Sequence, residues 1–153
     1  MLLDSILVPE TIIKPRSFAG LMSVYESNFL RLLNLIPELE RLDGCYRSRV
    51  VGDCDLHLEI LQRERYTLTL SLTYYFATAD GRIADPDMLI RVYLDGRVAE
   101  AMSLGSEHRH VEFRRLCRAH GEELGERWTR NVILNKWLEY LLDQGHLILE
   151  QQP

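Results

Sequence analysis

The sequence predicts an α+β domain. It has an antiparallel sheet of about five strands, with an N-terminal helix and two C-terminal helices packed on one face. Three observations carry this. Apolar residues recur at helical spacing after Ser17 and again after Arg127. Between those stretches the period changes to two. An Asp95-Gly96 turn signal then joins two alternating runs, 88–94 and 97–102, as a hairpin.

The length of 153 residues suits one domain, expected over 17–150, with 1–16 as an irregular lead-in interrupted by Pro9 and Pro15. In the first helix Ser17 is the N-cap, and Leu21, Met22, Tyr25, Phe29, Leu32, Leu33 and Ile36 form the apolar stripe that Pro37 ends. Asn28 lies at its edge. Tyr46 to Val51 reads as a short strand. Leu56, Leu58 and Ile60, then Leu68, Leu70, Leu72 and Tyr74, alternate with polar residues as two strands of a hairpin closed near Glu64-Arg65. Residues 77–87 read as a turn-rich loop.

In the hairpin around Asp95-Gly96, both central residues are expected at positive φ. Counting outward pairs Leu94 with Arg97, Tyr93 with Val98, Val92 with Ala99 and Arg91 with Glu100. Arg91, Tyr93 and Glu100 then share one face with Leu89, Val98 and Met102; Ile90, Val92, Ala99 and Ala101 take the drier one. Ser106 is the expected cap of a helix through Val111, Phe113, Leu116, Cys117 and His120. The last helix turns Trp128, Val132, Trp137, Leu138, Leu141 and Leu142 inward, with Asn131 and Asn135 on or beside that stripe and Gly145 as terminator.

Hydrophobic residues at 46%, charged residues at 27% and a net charge of −5 describe an ordinary globular chain and disfavour nucleic acid as a partner. The longest apolar runs fall short of the ~18 residues that cross a membrane, and the first residues lack a basic flank. A cytoplasmic protein whose mature form is the whole chain is the expectation. Cys45, Cys54 and Cys117 form no paired unit and are expected as reduced thiols.

Four stretches in collinear order, YESNFLRLLNLIP at 25–37, RYTLTL from Arg65, PDMLIRVYLDGRVAEAM at 86–102 and NVILNKWLEYLLDQG at 131–145, resemble the YqiB-like family of small proteobacterial proteins of unknown function. The resemblance spans about 18–147 and includes Asn28, Pro37, Tyr66, Thr67, Arg91, Tyr93, Asp95, Glu100, Asn131, Trp137 and Gly145. The chain departs from the family pattern over 104–124 and at Gly125-Glu126-Arg127 and Thr129. The resemblance implies no activity, ligand or cofactor.

The binding site expected from the residues is Arg91, Tyr93 and Glu100, with the amides of Asn28 and Asn131. A guanidinium beside a carboxylate orients an anionic or amide ligand, and a tyrosine hydroxyl adds a directed donor or acceptor. The plainer reading of the first three is a cross-strand pair that stabilises the hairpin, and of the amides, a tie between helix and backbone. Asp53, Asp55 and His57, and also His108, His110 and Glu112, have metal-like spacing but no zinc signature, so neither a metal nor a cofactor is expected. The stripe His110, Arg114, Arg118 is diluted by Glu107 and Glu112. No phosphate-binding glycine loop, nucleophile elbow or nucleophile with a base partner is present.

The reading is an interaction or regulatory module that binds a protein partner or small ligand through a polar sheet face. The alternative is an enzyme acting on a phosphorylated or anionic metabolite, with Arg91 anchoring charge and Glu100, Asp85 or Asp87 as base. Self-association through the apolar N-terminal residues is a further possibility.

Overall fold

The computed structural model describes residues 17–105, 110–120 and 126–150. The lead-in 1–16, the cap Ser106 and the expected His108 lie outside them. In chain order the elements are α1 (Phe18–Leu35), β1 (Cys45–Ser48), β2 (Leu56–Arg63), β3 (Thr67–Thr78), β4 (Gly81–Tyr93), β5 (Val98–Ser103), α2 (Val111–His120) and α3 (Glu126–Asp143). The five strands form an antiparallel meander in sequence order. This is the expected α+β arrangement.

Ser17 caps α1 by accepting from the Gly20 N–H at 3.0 Å. The buried side of α1 is rotated from the expected stripe: Val24, Phe29, Leu32 and Leu35 face inward together with Ser27, Asn28 and Arg31, while Leu21, Met22 and Tyr25 are half-buried. The helix is wedged against both β5 and α3, so part of its polar face is buried by a second helix. Hydrophobic periodicity carries no signal for that. Past Pro37, Leu39 and Leu42 are also buried. Arg63 of β2 fixes this connection by donating to the carbonyls of Glu40 at 3.1 Å, Leu39 at 2.9 Å and Leu42.

Leu56, Leu58, Ile60, Leu68, Leu70, Leu72, Met88, Ile90, Val92, Ala99 and Ala101 form the helix-covered face of the sheet. Residues 77–87 are strand rather than loop. Thr78 pairs with Gly81 in a tight hairpin, and Gly81 takes φ +129°. Pro86 sits where the β3–β4 register shifts between Thr73/Asp87 and Tyr75/Ala84, so the bulge absorbs its missing donor. Turn-forming composition therefore marked a bulge and a turn within one long ribbon.

The β4–β5 register is as counted: Arg91 opposite Glu100, Val92 opposite Ala99, Tyr93 opposite Val98. The turn is not. Pairing closes at Tyr93–Val98, positive φ falls on Arg97 at 56°, and the Leu94 N–H bonds to the Tyr66 carbonyl at 2.8 Å. A two-residue and a four-residue turn around the same Asp-Gly place Tyr93 and Val98 opposite each other, which is why the register is the same for both.

β5 is a sheet edge, and its outward backbone groups are covered from the helices. The Ala101 N–H donates to Asn131 Oδ1 at 2.8 Å, Arg130 Nε donates to the Ala101 carbonyl at 2.9 Å, and Asn28 Nδ2 donates to the Ala99 carbonyl at 3.3 Å. On α3 the inward side is Asn131, Ile133, Leu134, Asn135, Trp137, Leu138 and Leu141; Trp128, Val132 and Leu142, expected inward, are half-buried. The helix ends in a Schellman motif. Gly145, at φ +93°, donates to the Leu142 carbonyl at 3.0 Å, and His146 donates to that of Leu141 at 3.1 Å. This termination turns the His146 ring back into the body of the protein.

Candidate functional site

The face of the sheet opposite the helices carries Thr67, Thr69 and Ser71 of β3 beside Arg91 and Tyr93 of β4 and Glu100 of β5. The Tyr93 hydroxyl donates to Glu100 Oε1 at 2.9 Å, with Arg91 directly across from Glu100 on the neighbouring strand. Burial and then Glu100 push the Tyr93 hydroxyl above its usual pKa, with Arg91 opposing. Tyr25 of α1 reaches the same carboxylate from around the edge; burial and Glu100 raise it to about 12, so it remains a donor. Arg91 and Tyr93 line an open groove of about 290 Å³ with Gln62, Glu64, Thr67 and Thr69. A neighbouring groove of about 140 Å³ includes His57, Tyr75 and Arg82, in which His57 meets Tyr75 edge-on at 4.8 Å and the Arg82 guanidinium lies 3.8 Å from the Tyr75 ring centroid.

Asn28 and Asn131 lie on the other side of the sheet. Besides binding the β5 backbone, Asn28 Nδ2 donates to Asn131 Oδ1 at 3.3 Å and Asn28 Oδ1 accepts from Asn135 Nδ2 at 3.1 Å; Asn131 Nδ2 donates to the Arg127 carbonyl at 2.9 Å. Asn135 also donates to Ser27 Oγ at 2.7 Å. The two amides thus anchor Ala99 and Ala101, the residues flanking Glu100, and do not enter either groove.

A second cluster is buried where β1, β3, α2, α3 and the C-terminal residues meet. At its centre is Asp53 from the β1–β2 connection, whose side chain is 3% exposed. His110 Nε2 lies 3.1 Å from Asp53 Oδ1 and His146 Nε2 lies 3.1 Å from Oδ2. Tyr74 donates to Oδ2 in a very short bond, and Tyr140 donates to Oδ1 at 3.5 Å.

Each ring is also held from its other side. His110 Nδ1 accepts from the backbone N–H groups of Glu112 at 3.1 Å and Phe113 at 3.4 Å, capping α2, so Nε2 carries the hydrogen and donates to Asp53. On His146, Nδ1 lies 2.9 Å from Ser48 Oγ, which itself accepts from the Leu147 N–H at 3.1 Å. Ser48 thus holds Nδ1 of the ring while Nε2 faces Asp53. Burial raises the Asp53 pKa, but bonds from Tyr74, His110, His146 and the Cys54 backbone outweigh it and hold the carboxyl below its ordinary value. Burial lowers His146 despite the adjacent carboxylate, and burial followed by Asp53 pushes Tyr74 far up and Tyr140 to about 12. The result is one buried carboxyl kept ionised by the hydrogen bonds that converge on it.

Ser48, His146 and Asp53 follow the order of a hydrolytic triad, but Ser48 is 3% exposed and its oxygen already accepts a backbone N–H. Ser48 lines neither groove of the sheet face. Among the described residues no group of three or more His, Cys, Asp or Glu is placed to hold a metal. Burial raises the thiols of Cys54 and Cys117, the latter to about 11, as suits inert side chains.

Sequence spacing had marked Asp53 and His110 in two separate stretches; the structure joins one residue from each and leaves Asp55 and His57 outside the cluster. Asp55 pairs instead with Arg49 at 2.9 Å. His146 was missed, although its position directly after the helix-terminating Gly145 was a usable signal. Of the proposed bases, Asp85 is buried and Asp87 accepts from the Thr73 hydroxyl at 2.9 Å. No helix among the described residues is long and apolar enough to cross a membrane.

Residues 31–147 match the model of a family described as a protein of unknown function, DUF1249. No curated protein and no solved structure matches the chain.

Proposed function

The chain belongs to the DUF1249 family, and we propose that it is a binding module that engages a protein partner through the helix-free face of its sheet, with Arg91, Tyr93 and Glu100 at the centre of contact. One observation carries this reading: Arg91 and Tyr93 line an open groove among Gln62, Glu64, Thr67 and Thr69, whereas the acid–base groups around Asp53 are turned inward. Tyr and Arg are the residue types that concentrate binding energy at protein interfaces. The bond from Tyr93 to Glu100 holds these two side chains in place before a partner arrives, which reduces the ordering cost of binding. Asn28 and Asn131 serve the same site from behind, by fixing the strand that carries Glu100. The resemblance of 25–37 and 131–145 supports a YqiB-like, proteobacterial assignment within the same proposal, and the ordinary globular composition supports a cytoplasmic one.

The test is recovery of partners from native lysate by wild type, by Arg91→Ala with Glu100→Ala, and by an Arg118→Ala control on α2. A partner recovered by wild type and control but lost by the double variant is then titrated in purified form. The expected weakening of Kd is about tenfold or more, the size of one interface hot spot. Equal recovery of every partner by all three baits sinks the proposal.

A further inference from the structure

We propose that the groove between His57, Ser71, Tyr75 and Arg82 is a binding site for the phosphoryl group of a small phosphomonoester. It lies on the helix-free face but shares no lining residue with the groove of Arg91 and Tyr93, so it goes beyond the partner-binding reading and each can fail without the other.

Strand register gathers the basic side chains. Arg47 of β1 lies opposite His57 of β2, and His57 lies opposite Thr73 of β3, so the three share one face with Tyr75, two residues further along β3. Past the bulge, Arg82 of β4 lies opposite Ala77 and reaches back along the sheet, placing its guanidinium carbon 3.8 Å from the Tyr75 ring centroid. That ring meets His57 edge-on at 4.8 Å. Contact with a ring face fixes a guanidinium without using up its fork of N–H donors, the group that pairs with two phosphate oxygens at once.

The donors here are unspent, and most nearby carboxylates are not. Among the described residues, the side chains of Arg47, His57, Ser71 and Arg82 take part in no hydrogen bond or ion pair. Asp55 is engaged by Arg49 at 2.9 Å, and Asp87 accepts from the Thr73 hydroxyl at 2.9 Å. Exposed Glu59 lines the groove and is the charge that opposes an anion there. Burial holds the His57 imidazole below its ordinary value; Asp55 opposes this, while Arg82, Arg47 and Arg49 lower it further, so three guanidinium groups act on the ring.

Size and donor number set the ligand class. The groove holds about 140 Å³, less than the ~300 Å³ or more of pockets that enclose a whole metabolite, so it takes one group and leaves the substituent outside. A phosphoryl dianion offers three terminal oxygens to the guanidinium fork, the imidazole and the Ser71 hydroxyl. A carboxylate offers two, in one plane, and leaves a donor unmatched.

The experiment is an NMR titration of the full chain with inorganic phosphate, with glycerol 3-phosphate and with acetate, at neutral pH and constant ionic strength. Both phosphates should give saturable shifts confined to 45–47, 57–59, 71–75 and 82, with acetate about tenfold weaker. Phosphate should also move the His57 ring titration to higher pH, because a bound anion and a ring proton favour each other. Arg82→Ala should weaken phosphate about tenfold, and Arg82→Lys, which keeps the charge without the fork, about threefold. Glu59→Gln should tighten it about threefold by removing a like charge, and Arg118→Ala on α2 should leave it unchanged. Should Arg82→Ala not fold, Arg82→Lys and Glu59→Gln decide. Shifts that do not saturate, shifts centred on Arg91 and Tyr93, acetate as tight as phosphate, exclusion of the ester, or a folded Arg82→Ala that binds like wild type overturns the site.

Discussion

Replacing Asn131 with leucine tests how the edge of the sheet is held. The side chain is fully buried, and its Oδ1 accepts from both the Ala101 N–H at 2.8 Å and Asn28 Nδ2 at 3.3 Å. Leucine has nearly the same shape, so packing changes little and the loss is polar. The Ala101 N–H, on a buried residue at the sheet edge, loses its partner, at about 1–3 kcal/mol for an orphaned buried donor. Asn28 loses one of its two donations but keeps the Ala99 carbonyl, which adds roughly 1 kcal/mol. The expected destabilisation is therefore about 2–4 kcal/mol. In a chain of this size that is a fall in Tm of roughly 5–15 °C. Urea unfolding followed by circular dichroism measures it, with an unchanged m-value expected because the same surface is exposed. A cycle with Asn28→Leu should show coupling of ~0.5 kcal/mol or more, since the two amides share a bond. A loss under about 0.5 kcal/mol with the same m-value would refute the assignment of Asn131 to the β5 edge.

Other parts of the molecule respond to substitution and to pH in ways that can be measured. Gly145→Ala should cost about 1–2 kcal/mol in thermal unfolding; its φ is +93° and the nearest atom to a new Cβ is Val50 Cγ1 at 3.9 Å, so the penalty is conformational rather than steric. Stability should fall with acid from pH ~6.5, because burial holds His146 below its ordinary 6.5 and the unfolded chain takes up the proton first, at up to ~1.4 kcal/mol per pH unit. Asp53 behaves oppositely in range: burial favours its neutral form but the bonds from Tyr74, His110 and His146 prevail, so its contribution is complete above pH 3.8 and is lost as pH falls through the lower folded value. Urea midpoints at half-unit pH steps check both limbs. Tyr93→Phe should cost less than about 1 kcal/mol, because its bond to Glu100 lies on a partly exposed cross-strand face, yet weaken partner binding; a larger stability loss would make that bond structural.

The sheet was legible in the sequence because its signals are local. Alternation in 56–60 and 67–74 assigns each side chain to a face, and any turn that places Tyr93 opposite Val98 sets Arg91 against Glu100. Ser17 and Gly145 marked helix ends through chemistry confined to one helical turn. The long β3–β4 ribbon was hidden because Asp80-Gly81 and Pro86 are turn residues wherever they occur, and only pairing with the opposite strand shows that one makes a two-residue turn and the other a bulge.

The sequence by itself determined the antiparallel α+β architecture, the register at Arg91 and Glu100, and the exclusion of familiar nucleotide and hydrolase motifs. Tertiary structure decided which polar groups are buried and what they bond. It turned Ser27, Asn28 and Arg31 toward α3, set the Tyr93 hydroxyl on Glu100, and brought Tyr74, His110, Tyr140 and His146 to the Asp53 carboxylate. The physical reason is that burial of apolar side chains follows a periodic rule read along the chain. A buried polar group is tolerated only where a particular donor or acceptor, often many residues distant, comes within about 3 Å.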